Sequence, residues 1–213
     1  MKRVTCVLAV LITLFAWLPA ASQEPSAPPV PAYNIELIIF RATSALGGAE
    51  NWAAEAGART FSNDSNTGES EAAGSTQVGR FLAALPEAQF QLTDIEKRLR
   101  ASAGYAPLAH VAWTQTASAW GTRAGFSLQR LGIDIPDMTG TVVLERGQFL
   151  HLGMTLAYAP ANPPAGLGAA PGTTFTLNQG RRVRFSERSY FDHPAFGVIA
   201  VVTPVAGTRP AKR

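Results

Sequence analysis

The stretch "GTVVLERGQFLHLGMTLAY", Gly140 to Tyr158, decides how this chain folds. Leu150, Leu152, Met154, Leu156 and Tyr158 alternate on one face, and Phe149, His151, Gly153, Thr155 and Ala157 take the other. A period of two belongs to a half-buried strand. "GTVVLE" is a second strand, and Arg146-Gly147 between them supplies a turn. The spacing predicts a hairpin, and so antiparallel pairing.

Downstream, "ANPPAGLGAAPG" is a loop by composition. "TFTLNQGRRVRFS" reads as a strand with Gly180 as a candidate bulge. In "SYFDHPAFGVIAVVTP", Val198 to Val202 is a buried strand, and Asp192, His193, Pro194 and Gly197 suit the turn that leads into it. Asp192 is expected to accept backbone amides there.

Upstream, "YNIELIIF" (Tyr33 to Phe40) is a central strand and "PLAHVAWTQ" another. "LTDIEKRLRASAG" predicts a helix with Thr93 and Glu96 at capping-box spacing, Asp94 and Glu96 near its positive end, and Lys97, Arg98 and Arg100 toward its negative end. Leu92, Ile95 and Leu99 form its apolar stripe, and Gly104 is a candidate stop. Val78, Phe81, Leu82 and Leu85 recur at helical spacing up to Pro86 and predict a second helix. The resulting fold class is α+β: a mostly antiparallel sheet, about two helices packed on one face, and one long mobile insertion.

The ends have their own composition. Lys2 and Arg3, the apolar run Val4 to Leu18, and Ala20, Ala21 and Ser22 read as a signal peptide over residues 1–22. Residues 23–32 are a Pro-rich spacer, 33–205 a single domain, and 206–213 a basic tail. Residues 42–77 are rich in Ser, Asn, Gly and Glu without an apolar period; they form the insertion, with Trp52 as a lid over the core. The one cysteine, Cys6, lies in the leader, so the mature chain has no thiol for a disulfide or a metal. These features predict a periplasmic protein without a stable membrane anchor after cleavage. The formal charge of +3 falls to +1 without Lys2 and Arg3, and Arg209, Lys212 and Arg213 sit in the tail. No basic, aromatic-rich footprint for nucleic acid exists.

Chemistry-bearing residues are few. His110, His151 and His193 have no H-x-H or H-E-x-x-H spacing, so no metal or cofactor is predicted. His110 and His151 fall off the likeliest core face, or against a second layer such as the helices. No nucleophile elbow occurs, and adjacent strand residues such as Asp192 and His193 point to opposite sides. No catalytic residue is assigned. In "RRVRFSER", Arg182 and Arg184 share one face and Arg181 takes the other with Val183 and Phe185. Arginine forks capture carboxylates through paired hydrogen bonds. Trp113, Trp120 and Tyr190 offer flat amphipathic rings. A wall polymer presents both carboxylates and sugar faces. Arg181, Arg182, Arg184, Trp113 and Tyr190 are therefore the candidate contacts.

In order along the chain, Tyr33 through Phe40; Leu108, His110, Trp113 and Gln115; Phe149 through Leu152; and Arg181 through Gly197 resemble the conserved blocks of the CsiV family of periplasmic peptidoglycan-binding proteins. Two positions depart from the pattern: Ser189 stands for a histidine and Phe149 for a tyrosine. The resemblance assigns His110, Gln115, His151, Asp192, His193, Pro194 and Gly197 to the family motif, in structural roles. It implies a non-catalytic accessory protein of wall synthesis, partnered by peptidoglycan and by a class A penicillin-binding protein with its lipoprotein activator. Two other readings stay open: an envelope protein-interaction module without wall affinity, and a metal-dependent hydrolase using the three histidines.

Overall fold

The computed structural model describes residues 30–43 and 77–207. The expected signal peptide, Trp52, and most of the spacer, insertion and tail lie outside the described residues.

The strands are β1 (Ala32–Ala42), β2 (Phe81–Ala84), β3 (Tyr105–Thr116), β4 (Ser118–Ala119), β5 (Phe126–Ser127), β6 (Met138–Arg146), β7 (Leu150–Tyr158), β8 (Phe175–Arg182), β9 (Arg188–His193) and β10 (Phe196–Pro204), with one helix, α1 (Thr93–Ala101). They form two sheets, ordered β2-β3-β1-β10-β9 and β4-β6-β7-β8, with β5 beside β6. Pairing is antiparallel except for the two-residue β4–β6 contact.

Alternation explains the layering. Tyr33, Ile35, Leu37 and Ile39 of β1 face the second sheet, where Leu150, Leu152, Met154, Leu156 and Tyr158 meet them in one buried core. The intervening positions of β1, Ile38 and Phe40, face away and pack with Leu92, Leu99 and Val201 beneath α1. The central strand is buried on both sides, which is why "YNIELIIF" is apolar almost throughout. The order of layers is second sheet, first sheet, helix. The β6–β7 hairpin forms as the alternation requires, with Arg146 opposite Leu150 across residues 147–149.

Several expectations are corrected. α1 is the only α-helix among the described residues, and the segment read as a second helix forms β2 on the edge of the first sheet. Its helical spacing was misleading: Val78 and Leu82 are exposed, while Phe81 alone reaches the core. Open edge donors on β3 outweigh so short a local period. Gly180 is no bulge, since it pairs in regular register with Gly153. Register shifts fall between β2 and β3, at Leu82, and between β1 and β3, where Leu108 is the extra residue beside Pro107. Pro107 has no N–H for the ladder, so the irregularity sits where pairing is already broken.

The capping box does not form either. Leu92 is the N-cap, and no side chain of the helix caps it. The helix ends on extended Ser102. Its acidic start and basic finish are as expected, with Arg98 bound to Asp94 and Arg100 to Glu96 one turn apart.

Candidate functional site

The five candidate contacts do not converge. Trp113 is 1% exposed in the core, with its indole N–H donated to Gln115 Oε1 at 2.6 Å. It offers no ring face to a ligand and leaves the list; the same bond gives the Trp113–Gln115 spacing a structural reason. Tyr190 lies on the helix side of the first sheet, stacked on Phe40 at 6.2 Å. Both rings lie close over Gly197, where a Cβ would come within 2.7 Å of Phe40, so that position requires glycine. Burial raises the Tyr190 phenol above its ordinary value, with Asp192 and Tyr105 adding to the shift. Arg181 lies over the Phe191 ring at 5.4 Å and 4.0 Å from Asp192, where β8 and β9 approach. Arg184 falls beyond the end of β8 and pairs loosely with Glu187 at 3.7 Å.

Arg182 has the more developed setting. Register places Glu145, His151 and Arg182 in one row across β6, β7 and β8 on the outer face of the second sheet. Arg182 stacks 3.3 Å from the Phe149 ring centroid, and Trp120 packs on His151 at 4.2 Å. Glu145 is buried, accepting the amide of Arg123 and, at 3.5 Å, the Thr122 hydroxyl, which draws residues 121–123 over the row. The face thus presents two aromatic platforms and an exposed guanidinium in a fixed orientation.

A second feature lies at the end of the sandwich. Arg146, the last residue of β6, reaches into a cleft of about 260 Å³ between the two sheets. Val30, Pro31, Tyr33, Gln77, Ala117, Ser118 and Ala119 line it. The guanidinium donates to the Tyr33 hydroxyl and lies 6.0 Å from that ring.

The histidines occupy three separate settings. His151 is on the outer face of the second sheet. His193 ends β9 between Phe175 and Phe196, and its Nδ1 accepts the Ala195 N–H at 3.1 Å. Burial depresses its pKa, against the pull of Asp192. The turn expectation is corrected in detail: His193 binds the backbone of the Pro194-Ala195 turn, while the Asp192 side chain is 60% exposed and bonds no amide among the described residues.

His110 bridges two carboxylates, Nε2 to Glu36 and Nδ1 to Glu96, each at 2.7 Å. A carboxylate facing each ring nitrogen favours the doubly protonated ring, which donates on both sides. Burial opposes that charge, but the two carboxylates prevail and raise its pKa. The bond to His110 in turn lowers the Glu96 pKa despite burial, helped by Arg100. Glu36 also accepts the amides of Gln91 and Leu92 at 2.6 and 2.8 Å, and so ties the segment that enters α1 to the central strand. No motif spacing reveals this network. The available signal was an acid inside an apolar strand, which needs partners wherever it is buried.

Among the described residues no group of three or more His, Cys, Asp or Glu is arranged to hold a metal, and no helix is long and apolar enough to cross a membrane. The chain belongs to the CsiV family, described as peptidoglycan-binding proteins, whose family model matches residues 5–205. Comparison with curated proteins and with solved structures gave no match.

Proposed function

We propose that this protein is a non-catalytic, periplasmic peptidoglycan-binding accessory factor of wall synthesis. The observation that carries the reading is membership of a peptidoglycan-binding family over residues 5–205. The outer face of the second sheet supports it chemically. Phe149 and Trp120 present rings of the kind that pack against sugar faces, and Arg182 presents a fork for a carboxylate. Arg181, on the opposite side of β8, Arg184, beyond its end, and Tyr190, on the first sheet, would serve separate contacts. The protein partners are a class A penicillin-binding protein and its lipoprotein activator, as the family resemblance implies.

The test is co-sedimentation of purified protein with insoluble sacculi at low salt. Wild-type protein pellets, and Arg182→Ala lowers the pelleted fraction several-fold with an unchanged melting temperature. Protein remaining wholly in the supernatant overturns wall binding, and unchanged pelleting of the variant removes Arg182 from the contacts.

A further inference from the structure

The structure assigns a second ligand site to the cleft at the end of the sandwich: a subsite for a free carboxylate attached to a small apolar group, held by Arg146. This deepens the wall-binding reading and rests on it.

Arg146 is short of partners among the described residues. A guanidinium has five N–H donors. That of Arg146 spends one on the Tyr33 hydroxyl, and it has no carboxylate within ion-pair distance among the described residues. Arg41, Arg80, Arg123, Arg130 and Arg182 likewise have no acidic partner among the described residues; what sets Arg146 apart is its place in a cleft, bonded to a buried tyrosine. Arg146 is also half-buried, where an uncompensated charge costs more than at an open surface. An incoming anion offsets that cost and gains paired, charge-assisted hydrogen bonds.

The guanidinium is held in advance. Tyr33 is 0% exposed, packed against Phe185 at 6.0 Å, and holds the cation through its hydroxyl. A donor fixed before binding loses little freedom on binding.

Size and lining narrow the ligand. A cleft of about 260 Å³ falls just below the usual range for whole small-molecule sites, roughly 300–1,000 Å³, so it takes a terminal fragment. Val30, Pro31, Ala117 and Ala119 are apolar or small, and no acid among the described residues lines the cleft. The fitting occupant is a peptide C-terminus ending in a residue of alanine size. In a wall-binding protein, that group is a stem-peptide end.

The probes are diacetyl-lysyl-D-alanyl-D-alanine and its C-terminal amide, titrated into nitrogen-15-labelled protein by NMR. The acid form is expected to shift the amides of Tyr33, Gln77, Ala117, Ser118, Ala119 and Arg146, and the neutral amide form to bind about tenfold more weakly or worse. Arg146→Met, checked for native melting, is expected to lose the response by a similar factor, and Arg146→Lys to keep part of it. No shift at millimolar probe, equal response to the two probes, or full binding by Arg146→Met overturns the subsite. Sedimentation of wild-type protein with sacculi separates the two levels. Pelleting without a cleft response overturns the subsite alone, whereas no pelleting overturns the wall-binding reading.

Discussion

His110 and His193 belong to the same sheet and are treated in opposite ways. His110, on the helix side, is enclosed by two carboxylates, which raise its pKa and favour the charged ring. His193, at the β9–β10 turn, is enclosed by aromatic rings and kept neutral, its Nδ1 free to accept an amide. Burial pushes both rings toward the neutral form; only the oxygens around His110 reverse the outcome. Each ring nitrogen with an assigned partner joins elements of the fold. His110 ties β3 to β1 and α1, and His193 fixes a turn.

The largest test of this contrast is Glu36→Ala. It strips two amides just before α1 and one side of His110 of their acceptor. Breaking a buried pair in this way costs about 3–5 kcal/mol, measured by urea unfolding. A loss below about 1 kcal/mol, the worth of an ordinary hydrogen bond, would show that the network is incidental.

A subtler difference appears with pH. The folded-state pKa of His110 is raised, so its contribution to stability is complete below about pH 6.5 and is lost as pH rises through the folded value. His193 has the opposite sign. Its contribution is complete above about pH 6.5 and declines as pH falls toward its depressed folded value. NMR titration of the two imidazoles should place His110 above and His193 below that value, and a reversed order would refute the assignments. His193→Gln should flatten the decline in stability just below pH 6.5.

Asp192→Asn has the smallest expected effect, within about 0.5 kcal/mol, because the side chain is exposed and its ion pair with Arg181 is long. A loss above 1 kcal/mol would restore the aspartate to the turn.

Much of the fold was legible locally. The alternation of Leu150 to Tyr158 specified a strand and its inward face, and the apolar run after Gly197 specified a buried one. The stripe of Leu92, Ile95 and Leu99 placed α1 against a sheet. The Val78–Leu85 segment misled because four residues at helical spacing carry little free energy beside an open sheet edge. Of the proposed contacts, Arg182 acquired a setting and Trp113 lost its surface, since alternation tells which residues share a face but not which faces another layer covers.

Local order in the chain thus determined strands, hairpins, one helix and the family blocks, because periodicity and turn chemistry act over a few residues. The division into two sheets, the Glu36–His110–Glu96 bridge and the recessed Arg146 were decided by tertiary structure. Their partners lie far apart in sequence, 74 residues for Glu36 and His110 and 113 for Tyr33 and Arg146. Packing alone brings such groups within hydrogen-bonding distance, and no local pattern encodes that encounter.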